Sequence, residues 1–321
     1  MRIVVAVGKS AFVLPSTGVS DGEPRRSARR IAEAIAPVTR EHELVVACGA
    51  GPQAGLLALE AAALAQQVER CPLGLQTAQV EMTVIAMLEQ ELRSLLPGRV
   101  VATLTTAVVV NPKDDALNVP TLRVGPPYLR SEARRVAERE GWRFTSDGAT
   151  WRRVVDAPEP HGIVETRAIA QLLGTGVVVV ASGGGGLPVV QSRDASGALT
   201  PADCVVDSDL AAGALAQALG ANVFVMLSDA DAVYVDWATP RQRAIRCAPP
   251  DALSDRLFHE ASIGRKIAAG CRFAAATGNP AVIGSAGDFP LLLAGRAGTT
   301  ISPAAKELAF ANVEASVVRS P

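Results

Sequence analysis

The sequence predicts a doubly wound α/β fold, and three observations lead to that prediction. Short apolar runs alternate with helical segments, an order typical of parallel strands joined by crossover helices. Of the 321 residues, 49% are hydrophobic but only 4% are aromatic, which suits aliphatic packing of helices on buried strands. Glycine turns follow three apolar runs, at Gly8, at Gly49 and at residues 183–186. Together these features predict a mainly parallel central sheet.

The predicted strands are apolar runs that end at glycine or at polar residues. Most are apolar at every position, as expected for strands that are covered on both faces. We expect strands at residues 3–7, 44–48, 100–110, 177–180, 222–227, 233–235, 281–283 and 299–301.

The predicted helices are rich in Ala and Leu or carry apolar residues at helical spacing. One face of the segment 80–96 is formed by Met82, Ile85, Leu88 and Leu92. Asp207 or Ser208 is available to cap a helix that runs to Leu219. The other predicted helices are residues 25–38, 55–68, 131–140, 163–173 and 262–276.

Residues 111–160 differ in character from the rest of the chain. They contain six prolines and two of the three tryptophans. We interpret the chain as a single domain, 1–321, in which 111–160 is an inserted, protruding lid and 302–321 is a loose C-terminal tail. A long surface excursion without function is the alternative for 111–160.

Charge and composition restrict the function classes. The formal net charge is −1 without a basic block, which argues against nucleic acid as a partner. No apolar run reaches the roughly 20 residues of a membrane span, and the chain opens as a strand without a secretion signal. Five scattered cysteines predict reduced thiols in a cytoplasmic protein. The histidines show no metal-ligand spacing.

The three glycine turns predict one phosphate-handling edge, because the carboxyl ends of parallel strands meet at the same side of a sheet. Three ordinary strand-to-helix turns are the alternative. Neither a Walker A sequence nor a G-x-G-x-x-G fingerprint is present. The ionisable residues placed near the turns are Lys9, Asp207, Asp209, Asp229, Asp231, Arg265 and Lys266.

The chain resembles the carbamate kinases of the amino acid kinase superfamily along nearly its whole length. The resemblance rests on CGAGPQAGLL (48–57), WRRVV (151–155), PEP (158–160), GGGGLP (183–188), DADAVY (229–234), AGCRF (269–273) and AGTTI (297–301). It implies a three-layer αβα sandwich with a protruding subdomain, and a homodimer. It also implies ATP, Mg²⁺ held by nucleotide phosphates, and reversible phosphoryl transfer between carbamate and ADP.

The resemblance also implies site residues. The catalytic set that we expect is Lys9, Asp209 and Lys266, of which Lys9 is our own addition. The substrate-binding set is Gly8, Ser10, Cys48, Gly49, Ala50, Gly51, Gln53 and Arg123. The nucleotide-binding set is Gly184, Gly185, Ser208, Asp229, Tyr234 and Lys266.

Several positions depart from the family pattern. The family's Gly-Gly-Asn-Ala loop is Gly-Lys-Ser-Ala here, at residues 8–11. In the second loop, where the family has His-Gly-Asn-Gly, Cys48 replaces the histidine and Ala50 replaces the asparagine. The family's lid lysine aligns with Leu122, beside Arg123. Its second catalytic lysine aligns with Ser208. The lysine of its Gly-Pro-Lys motif survives as Lys266, although Arg265 replaces the proline.

Two hypotheses follow from these departures. In the first, the protein is a phosphotransferase with an altered acceptor site, in which Lys9 delivers an ammonium near Ser208; Lys9 pointing to solvent is the alternative. In the second, it is a kinase-derived protein that binds a nucleotide or metabolite, or catalyses another reaction. Cys48 is either a reactive thiol beside helix amides or a small buried apolar residue.

Overall fold

A parallel sheet with buried strands forms the centre of the fold. The computed structural model describes residues 1–8, 11, 22–49, 72–181, 185–192, 197–254, 258 and 261–311, with only the backbone described at 22–24, 147, 261 and 262. Strand β1 (Arg2–Val7) runs parallel to β2 (Glu43–Cys48) on one side and to β12 (Val223–Ser228) on the other. Residues 3–7 of β1 are all buried, which explains why this strand is apolar throughout.

Within the described residues, this central sheet has ten strands. Its remaining members are β3 (Val101–Leu104), β9 (Val178–Ala181), β13 (Val233–Val235), β14 (Arg243–Ala248), β15 (Ala281–Ser285), β16 (Thr299–Ile301) and β17 (Ala309–Phe310). The order is β13-β14-β16-β15-β12-β1-β2-β9-β3, with β17 on β14. The six strands from β15 to β3 are mutually parallel. All their carboxyl ends therefore lie at one edge of the sheet.

Helices cover both faces of this sheet. The described helices are α1 (Gly22–Ile35), α2 (Leu73–Leu95), α3 (Arg130–Glu140), α4 (Thr166–Gly174), α5 (Ser208–Ala218), α6 (Asp251–Ser254), α7 (Ala261–Thr277) and α8 (Phe289–Leu293). Short 3₁₀ helices are Ala36–Arg40, Asp115–Leu117 and Ala286–Asp288. On one face α1, α2 and α8 pack against Ile3 and Val5, and on the other α4, α5 and α7 pack against Val4 and Ala6. This is the predicted αβα sandwich.

Two smaller sheets stand beside the central one. The first has the order β11-β10-β4-β8, and the second, the small sheet, has the order β5-β7-β6. Their strands are β4 (Ala107–Val110), β8 (Pro160–Ile163), β10 (Leu187–Gln191), β11 (Leu199–Pro201), β5 (Leu122–Tyr128), β6 (Arg143–Asp147) and β7 (Thr150–Val155). The small sheet and α3 lie within residues 111–160, the segment expected to form the lid.

Several segments differ from the sequence prediction, which did not include the strands β5, β6, β7, β8, β14 and β17. Residues 100–110 were expected as one strand but form two, because β3 pairs with β9 whereas β4 pairs with β8 and β10 in another sheet. The expected loose tail from residue 302 is partly ordered, since β17 pairs with β14 and the Arg243 guanidinium packs over the Phe310 ring. Residues 312–321 and the predicted helix 55–68 lie outside the described residues.

The described helices contain none that combines the length and the apolar character needed to cross a membrane.

Candidate active site

The first two glycine turns lie side by side at the carboxyl edge of the central sheet. The Gly8 N–H donates to the Leu227 carbonyl at 3.3 Å, and the Gly49 N–H donates to the Val7 carbonyl at 3.1 Å. The ends of β12, β1 and β2 are therefore joined through these two glycines. This is the close arrangement that parallel strand ends predict.

A buried cation reaches this edge from helix α7. The Lys266 ammonium bonds Asp209 Oδ1 at 2.7 Å, and its side chain is only 1% exposed. A Cβ at Gly8 would collide with Lys266 Nζ. Gly8 is therefore a glycine because the ammonium occupies the space that a side chain would need. The cation and the bare backbone of the first turn form one surface suited to an anion.

Helix α5 begins between the second glycine turn and Lys266. Asp207 Oδ1 caps this helix by accepting the backbone N–H groups of Asp209 and Leu210 at 3.0 and 3.2 Å. Ser208 lies against Gly49, where an added Cβ would be 2.5 Å from Ser208 Oγ. The cap thus fixes the segment that carries both the Lys266 partner and the serine facing the glycine turn.

A buried carboxyl that our sequence reasoning missed holds the third glycine turn. Glu81 on α2 accepts the Gly186 N–H at 3.0 Å and also the Gly185 N–H, and it is only 1% exposed. Burial raises the pKa of Glu81 well above its ordinary value, although these two hydrogen bonds oppose the shift. Its signal in the sequence is its position one turn before Ile85, on an otherwise apolar helix face.

Glu81 also requires the glycines that it contacts. A Cβ at Gly185 would collide with Glu81 Oε1, and a Cβ at Gly186, whose φ is +42°, would lie 2.6 Å from the Thr106 carbonyl oxygen. Close approach and backbone conformation therefore both select glycine at this turn.

Two alternatives were open for Cys48, a reactive thiol and a small buried apolar residue, and its burial supports the second. Its side chain is fully buried at the end of β2, where burial raises the pKa of the thiol and the nearby Glu81 adds to the effect. A thiol with a raised pKa is a poor nucleophile. The burial of Cys48 in the apolar cluster of the central sheet therefore favours the small buried apolar residue over the reactive thiol.

The predicted nucleotide residues Asp229 and Tyr234 follow the end of β12. Asp229 accepts the Ser228 hydroxyl at 3.0 Å, and the Tyr234 hydroxyl donates to Asp231 at 2.8 Å. Burial together with Asp231 raises the pKa of Tyr234 to about 12. Tyr234 also packs against Trp237, with ring centroids 5.2 Å apart.

The two lid residues that the sequence singles out have different surroundings. Leu122 is buried among Val124, Val155, Ala157 and Val205, the last of which lies just before the start of α5. The Arg123 guanidinium donates to the Ser146 carbonyl at 3.3 Å, within the small sheet.

Six of the predicted site residues lie outside the described residues: Lys9, Ser10, Ala50, Gly51, Gln53 and Gly184. The residues that described contacts bring together are Gly8, Gly49, Ser208, Asp209 and Lys266, with Gly185 held by Glu81.

A cleft of about 560 Å³ opens at the opposite, amino-terminal edge of the central sheet. Arg2 in this cleft is bonded to Glu43, and Arg99 donates to the carbonyls of Thr39 and Gly176. These arginines hold together the chain segments around the cleft. The buried cation against bare glycine backbone, at the carboxyl edge, is the arrangement suited to catalysis on an anion.

The comparisons with known proteins agree with this geometry. A model of the amino acid kinase family matches residues 1–285. The carbamate kinase of Rhizobium meliloti (strain 1021) is 39% identical over 311 residues, which cover 97% of this chain and 96% of that protein. The carbamate kinase of Haemophilus influenzae is 38% identical over 311 residues, covering 97% and 99%. These relatives confirm the resemblance found in the sequence.

Solved structures give the same result. A carbamate kinase from Giardia lamblia bound to citric acid matches with a TM-score of 0.84 at 28% identity, over 94% of this chain and 98% of that one. The same enzyme bound to AMP-PNP matches with a TM-score of 0.81 over the same shares. The predicted fold class is confirmed.

Proposed function

Because the chain belongs to the amino acid kinase family, we propose that it catalyses reversible phosphoryl transfer between ATP and carbamate or a related small carboxylate or carbamoyl acceptor. In the forward direction an acceptor oxygen forms a bond to the γ-phosphorus of ATP. The bond from that phosphorus to the β,γ-bridging oxygen breaks, and ADP leaves with the electron pair. With carbamate as acceptor the product is carbamoyl phosphate.

The observation that best supports this proposal is the buried Lys266 ammonium between Gly8 and Asp209. Phosphoryl transfer depends on fixed positive charge and backbone donors around the transferred group. Asp209 orients the ammonium, and Gly8 lets the ammonium lie directly against the backbone of the first glycine turn. Lys266 would contact the phosphoryl oxygens throughout transfer, with Asp209 as its positioning partner. Lys9 remains our candidate for a further catalytic cation.

The proposed acceptor site uses the first two glycine turns. It comprises Gly8, Ser10, Cys48, Gly49, Ala50, Gly51, Gln53 and Arg123. Ala50 and Cys48 replace larger polar residues of the family pattern, so we propose that the acceptor pocket is altered. Cys48 contributes volume beneath the turn, since it is buried.

The proposed nucleotide site uses Gly184, Gly185, Ser208, Asp229, Tyr234 and Lys266. The donor set suits phosphate, because an ammonium and glycine backbone favour anions. In the described part of the chain no group of three or more His, Cys, Asp or Glu side chains could hold a metal ion. As the family resemblance implies, Mg²⁺ would bind through the nucleotide phosphates, where it would add positive charge across the β- and γ-phosphoryl groups.

The proposal extends to cellular context and assembly. We place the protein in the cytoplasm, where thiols such as those of Cys48, Cys204 and Cys271 stay reduced. We also propose a homodimer that has neither nucleic acid nor a membrane as partner, and in which residues 111–160 act as a lid.

The second candidate function, a kinase-derived binding protein without phosphoryl transfer, is favoured by one observation. Leu122 is buried in an apolar cluster and Ser208 carries no charge, although the family pattern has lysine at both positions. A lost charge-assisted hydrogen bond to phosphate is worth about 1.5–3 kcal/mol. Two such losses would slow transfer severely unless other cations replace them.

ATP formation from carbamoyl phosphate and ADP, with Mg²⁺, tests the first candidate. We expect turnover by the wild-type protein and a loss of kcat of about 10²–10³-fold in Lys266→Met, since a fixed charge at the transferred group is removed. Removing one partner of a buried ion pair also destabilises a fold by about 3–5 kcal/mol. A second variant, Lys266→Arg, is therefore included, because it keeps the positive charge of the ion pair.

Lys306→Met is the matched control, because Lys306 is an exposed lysine remote in sequence from the site. It should retain wild-type kinetics. Absence of turnover by the wild-type protein, with carbamoyl phosphate and with other small acyl phosphates, would contradict the first candidate. Calorimetry showing ATP binding in that case would favour the second.

A further inference from the structure

The guanidinium of Arg265 joins the base of the small sheet to the start of helix α5. Arg265 Nη2 donates to Thr121 Oγ1 at 3.1 Å, and Arg265 Nε lies 3.6 Å from Asp207 Oδ2. Thr121 immediately precedes β5, and Asp207 is the N-cap of α5. One side chain on α7 therefore contacts the two segments that would have to close around a bound substrate.

Arg265 is next to Lys266, and the two side chains reach the same short segment from different directions. Neighbouring residues on a helix project about 100° apart. Lys266 contacts Asp209, whereas Arg265 contacts Asp207. Ser208 lies between these two carboxylates and faces Gly49. An anion bound at Ser208 and Gly49 would consequently have one cation on each side.

Arg265 forms an ion pair with Asp207 and a hydrogen bond with the uncharged Thr121 hydroxyl. A guanidinium has five N–H donors, and these two contacts within the described residues use only part of them. The separation of 3.6 Å from Asp207 exceeds hydrogen-bond length. Asp207 already uses its other oxygen to cap α5. The side chain of Arg265 is 22% exposed, so solvent or a ligand can reach it.

Arg265 contacts the chain next to the two positions at which this sequence lacks a lysine of the family pattern. Its partners Thr121 and Asp207 immediately precede Leu122 and Ser208, the positions where the family pattern has lysine. A planar guanidinium binds phosphate oxygens with two parallel hydrogen bonds, which a lysine cannot do.

We propose that Arg265 is a substrate-binding cation that takes the place of both lysines and contacts the phosphoryl group of the acyl phosphate. This inference rests on the proposed function and adds to it a specific residue. When carbamoyl phosphate binds, the guanidinium exchanges Asp207 and Thr121 for phosphoryl oxygens.

Steady-state kinetics and calorimetry with carbamoyl phosphate test this role in the full-length protein. We expect Arg265→Gln to lower kcat/KM with ADP at least 10-fold, mainly through a higher KM, and to bind carbamoyl phosphate at least 10-fold more weakly. Arg265→Lys should recover part of both losses. The matched control is Arg40→Gln, an exposed arginine in the cleft at the opposite edge of the central sheet. It should stay within about two-fold of wild type.

The two measurements separate this inference from the proposed function. If the wild-type protein turns over and Arg265→Gln behaves like Arg40→Gln, the role of Arg265 is wrong and the proposed function stands. If the wild-type protein does not turn over, calorimetry with carbamoyl phosphate alone tests the role of Arg265. Weaker binding by Arg265→Gln would then support a phosphate-binding role, whereas equal affinity, or no binding by the wild-type protein, would overturn it. Thermal melts verify that each variant is folded.

Discussion

Two glutamates on helix α2 show how strongly the surroundings of a single residue set its ionisation. Glu81 is buried against backbone N–H groups, and burial raises its pKa well above 4.5. Glu91, ten residues later, accepts from Arg25 at 3.0 Å and from Arg29 at 3.2 Å, and these arginines lower its pKa below 4.5. The same residue type on one helix therefore responds to pH in opposite directions.

The pH dependence of stability should separate these two residues. Because burial raises the pKa of Glu81 above the ordinary 4.5 of the unfolded chain, its contribution to stability falls as the pH rises from there toward the folded pKa. Glu81→Gln should therefore gain stability relative to wild type between about pH 5 and about pH 8. Urea denaturation at both pH values measures the difference.

Glu91→Gln is the matched control on the same helix. The contribution of Glu91 is fully present above its unfolded pKa and is lost only as pH falls through the lower folded value. Its substitution should destabilise the protein by a constant amount over the same pH range. A Glu81→Gln effect that does not change with pH would contradict the buried, protonated carboxyl.

At the scale of the element, the start of α5 organises the site. Asp207 caps the helix, Ser208 faces the second glycine turn, and Asp209 holds Lys266. These three consecutive residues thus link the start of the helix to the buried ammonium of Lys266. The sequence offered Asp207 or Ser208 as the cap, and the hydrogen bonds identify Asp207.

Removing the cap should reduce both stability and catalysis. Asp207→Ala leaves the N–H groups of Asp209 and Leu210 without their acceptor, which costs about 1 kcal/mol, and it loosens the segment that positions Lys266. Asp207→Asn keeps the acceptor oxygen and should lose much less stability. Chemical denaturation and kcat measure the two effects. Equal destabilisation by Ala and Asn would show that the cap contributes little.

At the scale of the molecule, the site exists only when distant parts of the chain come together. Gly8 follows β1, Asp229 follows β12, Gly185 lies between β9 and β10, and Lys266 lies on α7. An unfolded chain presents none of these groups together. A nucleotide that uses them should therefore bind the folded state alone.

Such binding predicts thermal stabilisation by ATP. A ligand at about 100 times its Kd stabilises the folded state by about 2.7 kcal/mol, so the melting temperature should rise with ATP concentration. Lys266→Arg should show a smaller rise, because the phosphate contact is altered, and Lys306→Met should match wild type. Scanning fluorimetry gives the values. An unchanged melting temperature at millimolar ATP would count against nucleotide binding.

The sequence by itself determined a mainly parallel α/β fold with Gly8 and Gly49 at the carboxyl edge of the sheet, and the resemblance to the family added the three-layer αβα sandwich. Apolar runs and helical spacing report local structure, and parallel strands bring their carboxyl ends to one side by geometry. The same signals could not show that residues 100–110 divide between two sheets, because an apolar run does not record which strand it pairs with.

Only the tertiary structure decided which charged groups meet at that edge. The burial of Glu81 beneath Gly186, the Lys266–Asp209 pair and the contacts of Arg265 join residues that are 57 to 144 positions apart in the sequence. Such contacts depend on how helices pack on the sheet, and no local pattern encodes that packing. The sequence therefore predicted where the glycine turns lie. The side chains that pack against Gly8, Gly49 and Gly185 became visible only in the fold.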